Sequence, residues 1–180
     1  MGWFGRPENP STSNIFKEET IFFHMDASIK KGVSFGLTSG IITTLGLIIG
    51  LDSSTGSKSV ILAGILVIAI ADAFSDALGI HMSEESENHK TPKQIWTASF
   101  STFFAKLIFA LSFLIPVFLF SLNLAIWLSV FWGYLLISIL SYYLAKSEKI
   151  APYKIIGEHL FITTLVIILS NLAGKLIALI

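Results

Sequence analysis

The chain has 180 residues, with 12 basic and 12 acidic side chains, so its formal net charge is zero and it carries no electrostatic footprint for nucleic acid. Its hydrophobic fraction is 53%, its charged fraction 13% and its mean hydropathy +0.76, where a soluble domain carries about a quarter charged residues. That excludes an ordinary soluble domain and predicts an all-α integral membrane protein. The absence of cysteine also excludes disulfides, thiolate metal sites and iron–sulfur clusters, leaving oxygen and imidazole as the strong ligands.

Residues 1–12 hold Gly, Pro, Ser and Asn and read as a polar tail without the apolar core of a secretory signal. The first hydrophobic helix is therefore expected to direct insertion. From Ser13, a potential N-cap, residues 14–31 form an amphipathic pattern: Ile15, Phe16, Ile21, Phe22, Phe23 and Met25 are apolar, and Lys17, Glu18, Glu19 and Asp26 are polar. It has too many charges to span and is expected to lie in the interface. Residues 1–31 are thus set apart from a five-helix transmembrane region, residues 32–180.

Five segments are long enough, at ~20 residues, to cross ~30 Å of hydrocarbon: 32–51, 59–81, 95–120, 124–145 and 155–180. The short links at 52–58 and 121–123 imply antiparallel hairpins. The first segment carries Gly36/Gly40 and Gly46/Gly50, small-xxx-small spacings that let another backbone approach. Spacing alone favours a packing face; the sharper reading is a discontinuous helix beside the acids, with Ser39, Thr43 and their neighbouring hydroxyls lining a path. Pro116 is expected to kink the third segment.

Basic residues predict the orientation. Arg6, Lys17, Lys30, Lys31, Lys90, Lys93, Lys146, Lys149 and Lys154 fall on one side, and only Lys58 lies in the connections on the other. By the positive-inside rule the N-terminus is cytoplasmic and the C-terminus outside. Lys175 near the outer end is able to snorkel to the surface.

The chemistry concentrates in residues 70–87. Asp72 and Asp76 are four apart, on one face of a helix. An acid at the centre of a spanning helix costs at least ~2.5 kcal/mol on insertion scales, so such residues face a bundle interior, a water path or a cation. Glu84, Glu85, Glu87 and His89 follow at the cytoplasmic mouth, a run that reads first as a solvated cap. His81 sits at a helix end, where a ligand and a merely interfacial histidine weigh equally. Lys106, eleven residues into its segment, reaches the depth of Asp72 at ~1.5 Å per residue, so the two side chains are expected to meet. Glu158 and His159 enter the last segment near the depth of Asp76; an acid there also suits a helix N-terminus. The candidate metal ligands are Asp72, Asp76, His81, Glu84, Glu87, Glu158 and His159, with Ser39, Thr43 and Lys106 along the pathway.

Two stretches resemble the vacuolar iron transporter (VIT) family. Phe35-Gly-Leu-Thr-Ser-Gly40 followed by Leu45-Gly-Leu-Ile-Ile-Gly50 is similar to the family's first-helix motif. Ala71-Asp-Ala-Phe-Ser-Asp-Ala-Leu-Gly-Ile-His-Met-Ser83 with Glu85-Ser-Glu87 is similar to its second. Weaker echoes are Ile115-Pro116 and Leu172-Ala-Gly-Lys-Leu176. The likeness covers residues 32–180. The family's first-helix acid falls on Ser39 and its second-helix methionine on Asp76, and its cytoplasmic metal-binding helices are missing, since only residues 82–94 are available. The resemblance implies a homodimeric, multi-pass exporter, in the cell membrane if prokaryotic, moving Fe²⁺ or Mn²⁺ from the cytosol against protons. No permanently bound cofactor is expected. The competing expectation is a structural or regulatory membrane protein whose acids only pair with Lys106. No nucleophile–base arrangement, phosphate loop or HExxH helix is present, so an enzyme is not expected.

Overall fold

A computed structural model of the chain describes residues 26–180. Six helices follow one another: α1 (Ala27–Thr55), α2 (Lys58–Glu85), α3 (Pro92–Ser112), α4 (Leu114–Leu119), α5 (Leu122–Ser147) and α6 (Pro152–Ile177). Counting α3 and α4 as one interrupted element, five are long and apolar enough to cross a membrane. The described residues contain no strand. This is the fold of a multi-pass, all-helical membrane protein.

Local chemistry sets the helix ends. The Asp26 carboxylate accepts the Ser28 N–H at 2.8 Å, capping α1. Gly56 closes the same helix in the left-handed region at φ +57°, its N–H reaching Asp52 O at 2.9 Å. At α3 the Thr91 hydroxyl and the Gln94 side chain form a capping box, and Pro92 occupies the first turn, where a missing N–H does no harm. Pro152 does the same for α6.

Two expectations change here. The interfacial helix of residues 14–31 lies outside the described residues up to 25, but its last part is not separate. Residues 27–31 are the first turns of α1, which runs unbroken to Thr55, because the apolar pattern resumes at once after Lys31. The third segment does more than kink: its helix stops at Ser112 and restarts at Leu114. Pro116 has no N–H to give the carbonyl of Ser112 and its ring crowds that carbonyl. The Ser112 hydroxyl instead donates to Phe109 O and accepts from Trp132 Nε1 at 3.0 Å, tying the break to α5.

The bundle is built round α1, which packs on α2, α3, α5 and α6. Half of its most apolar window is buried, against 11% for α6, so α6 leaves Phe161, Leu165, Leu169 and Leu176 for lipid. The core joins Ile41, Leu45 and Ile48 of α1 to Ile61 and Ile65 of α2, Phe113, Val117 and Ile137. Lipid tails are as apolar as these side chains, so close packing rather than transfer from water holds the helices together. Lys58 donates to Phe118 O and Phe120 O, and Asn171 to Ser53 Oγ, at one end of the bundle. Lys30 pairs with Glu148, and Lys31 with Glu87, at the other. Successive spans are therefore antiparallel.

Candidate functional site: intramembrane acids held by a lysine

The site begins with glycine. A Cβ on Gly36 would collide with the Thr102 carbonyl oxygen, and one on Gly40 would lie 3.1 Å from Lys106 O and 3.3 Å from its Cα. Glycine alone lets α3 come this close, so the Gly36/Gly40 spacing is a packing face and α1 is continuous beside the acids. Gly46 and Gly50 face Ser170 of α6 less tightly: a Cβ would lie 3.0 Å from its hydroxyl at Gly46 and 3.5 Å from its carbonyl oxygen at Gly50.

That approach carries Lys106 into the middle of the bundle, where only 1% of it is exposed. Its ammonium donates to Ser39 Oγ at 2.8 Å and to Asp76 Oδ2. Asp72 Oδ2 lies 2.6 Å away as an ion pair without hydrogen-bonding geometry. The expected meeting of Lys106 and Asp72 takes place, and Asp76 shares the lysine. Two carboxylates face one ammonium, so the cluster with every group ionised keeps one uncompensated negative charge. Asp72 also lines an open groove of about 690 Å³ between α1 and α2, with Leu47, Leu51, Gly64 and Ser75. Its side chain is 26% exposed there, against 17% for Asp76. Thr43 hydrogen-bonds only its own helix, donating to Ser39 O at 2.8 Å.

A second charged cluster closes the lysine-rich end of α2, and sequence reasoning misjudged it. Glu84, expected as part of a solvated cap, is fully buried. It is ion-paired to Lys31 of α1 and, at 3.5 Å, to Lys90. Glu87 completes the group, 3.2 Å from Lys31 and 3.5 Å from Lys90; the hydrogen bond from Lys31 holds its carboxyl below the usual carboxylate range. Glu85 and His89 are exposed as a cap would be. Two acids and two lysines balance here, which the triad deeper in α2 does not do. Lys31 was missed as a partner because it lies on α1, far in sequence from Glu84, and Lys90 because it sits in the link, whose fold back onto α2 the residue pattern does not reveal.

The remaining candidates lie apart. His81 turns to α3, its Nδ1 3.1 Å from Ser99 Oγ and its ring edge-on to Trp96 at 4.6 Å. His159 turns to α5, its Nδ1 2.8 Å from Ser141 Oγ. Glu158 is exposed. The helix α6 that bears both packs on α1 and α5, while α2 packs on α1, α3 and α4, so Glu158 and His159, expected at the depth of the acids, are not in their neighbourhood. Among the described residues no three His, Asp or Glu side chains gather as a group able to hold a metal ion.

Comparison with protein-family models, with curated proteins and with solved structures finds no match.

Proposed function

We propose that the chain is a membrane transporter of divalent cations, of the Fe²⁺ or Mn²⁺ class, that exchanges its cargo for protons at Asp72, Asp76 and Lys106. One observation carries this reading: the triad has an odd charge where an unpaired charge is costly. Structural ion pairing would be served by equal numbers of acids and lysines, as at Glu84 and Glu87. Here neutrality needs one more positive charge.

The charge count gives the exchange. In the resting state one carboxyl holds a proton, the other is ionised and Lys106 is an ammonium, for a sum of zero. With a divalent cation bound, both carboxylates are ionised and Lys106 is neutral, again for a sum of zero. The ammonium and the cation repel strongly at contact distance in low dielectric, so binding expels the proton of Lys106 together with that of the carboxyl. Two protons leave for each cation that enters. Asp72 Oδ2, buried without a hydrogen bond, offers a lone pair to either visitor, and Ser39 is placed to add a neutral oxygen. Hard and borderline cations take such oxygen donors.

The motif resemblance to the vacuolar iron transporter family supports the same cargo, efflux from the cytosol and a homodimer. Ser39 stands for the family's acid, and Asp76 supplies a carboxylate from the neighbouring helix. The lysine-rich end, with Lys30, Lys31, Lys90, Lys93, Lys146, Lys149 and Lys154, is assigned to the cytoplasm on the positive-inside rule. In lipid vesicles, a pH gradient should accelerate uptake of radioactive Mn²⁺ by the parent protein. Asp72→Asn and Asp76→Asn should each reduce that uptake at least tenfold while remaining folded. Equal uptake by parent and variants would leave the triad as a structural pair, the competing reading.

A further inference from the structure

The groove between α1 and α2, about 690 Å³ in volume, has the size and the chemistry of a small-molecule site: apolar walls with few polar groups. Leu47 and Leu51 of α1 and Val60, Val67, Ile68 and Ala71 of α2 form the walls, and in the lining only Asp72 and Ser75 are polar. The floor is closed at Gly64, where a Cβ would run into Leu51 and lie 3.1 Å from Leu47. Val60 and Val67 are exposed on a helix long and apolar enough to span, so the groove opens sideways into hydrocarbon. Asp72 stands about 18 Å along the helix from Val60, at 1.5 Å per residue. A hydrated metal ion gains nothing from such walls, whereas an apolar body fits them.

Charge decides what kind of body. Asp72 Oδ2 is buried against Lys106, so the 26% of the side chain that is exposed does not include the oxygen the lysine holds. A lipid tail would fill the groove and leave the extra negative charge of Asp72, Asp76 and Lys106 unmet. We propose that the groove binds a hydrophobic monoamine, its apolar body lying along Leu47, Leu51 and Val67 and its single ammonium donating to the groove side of Asp72. An aliphatic amine is protonated near pH 7, as lysine is, so it supplies one positive charge. Two carboxylates then face two ammoniums, the balance already present among Glu84, Glu87, Lys31 and Lys90. The carboxyl that is protonated at rest gives up its proton as the ammonium arrives, one proton out for one charge in, and Lys106 stays charged. The inference stands on the groove and the charge count, and not on metal transport.

Equilibrium binding of tritiated adamantylamine, a rigid hydrocarbon cage bearing one amine, to the full-length protein in lipid nanodiscs tests it, with empty nanodiscs subtracted. Adamantanol has the same body without the charge. The parent should bind the amine saturably near pH 7 and the alcohol at least about tenfold more weakly, the worth of a hydrogen bond to a charged group. Asp72→Asn, which leaves Asp76 and Lys106 as a balanced pair, should weaken amine binding by the same factor. Ala71→Phe, at an exposed position, fills the groove without touching the core and should weaken it as much. No saturable binding to the folded parent, as when an acyl chain or a second copy covers the groove, overturns the proposal. So does equal binding of amine and alcohol, or parent-like binding of the amine in Asp72→Asn or in Ala71→Phe. Mn²⁺ uptake without amine binding would overturn this inference alone; amine binding without Mn²⁺ uptake would overturn the transport reading alone.

Discussion

Lys106 is the residue on which the site turns. It is nearly inaccessible, donates to Asp76 and to the Ser39 hydroxyl, and is ion-paired with Asp72. Removing one member of a buried ion pair costs about 3–5 kcal/mol, because the partner stays behind uncompensated. Lys106→Met keeps the volume and removes the charge, and should lower stability by about 3 kcal/mol, the low end, because Asp72 stays a quarter exposed. Adding Asp72→Asn and Asp76→Asn to Lys106→Met should restore most of the loss in a detergent unfolding assay. The meeting of Lys106 with Asp72 was legible from the chain, since counting 1.5 Å per residue from each loop puts both at one depth. Depth is as far as counting goes. It gave Glu158 and His159 the same level and could not say that His159 turns to α5 while Glu158 is exposed, and it gave no hint that Lys31 reaches over to bury Glu84. Those outcomes depend on rotation about the helix axis and on neighbours, which one sequence does not print.

At the scale of the element, α1 is a spacer that sets how near α3 stands. The Thr102 carbonyl that would meet a Cβ at Gly36 belongs to a helix backbone and has no rotamer in which to escape. Gly36→Leu must therefore push α3 away, at about 1–3 kcal/mol for overpacking, and draw Lys106 off Ser39. Gly79 offers a control, since nothing lies within 4 Å of its added Cβ; Gly79→Ala should leave the melting temperature unchanged or slightly raised. Equal effects at both positions would show that helix propensity, not close approach, matters at Gly36. The spacing of Gly36 and Gly40 made this face readable in advance, because four residues return to the same side of a helix. The continuity of residues 27–31 with α1 was not readable. A cluster of charges marks an interface, but α1 carries Lys30 and Lys31 by pairing them with Glu148, Glu87 and Glu84. Pro116 announced a disturbance without its size; the break at Phe113 also needs the Ser112–Trp132 contact from α5.

Over the whole molecule, five antiparallel spans enclose two charged clusters of opposite design along α2. The one at the lysine-rich end is balanced, two acids with two lysines, and ties α1, α2 and the link together. The one within the bilayer is short of one positive charge and opens to a groove. A protein that needed only a rigid bundle gains nothing from that imbalance, while a carrier of cations uses it to bind and release. Proton release on cation binding reads this difference directly. Calorimetric titration of the purified protein with Mn²⁺, at one pH near 7 in buffers of different ionisation heat, gives the number of protons freed per ion. The charge balance at Asp72, Asp76 and Lys106 predicts two per Mn²⁺ bound, falling when either aspartate is replaced by asparagine. Binding without proton release, or no binding to the folded protein, would contradict it.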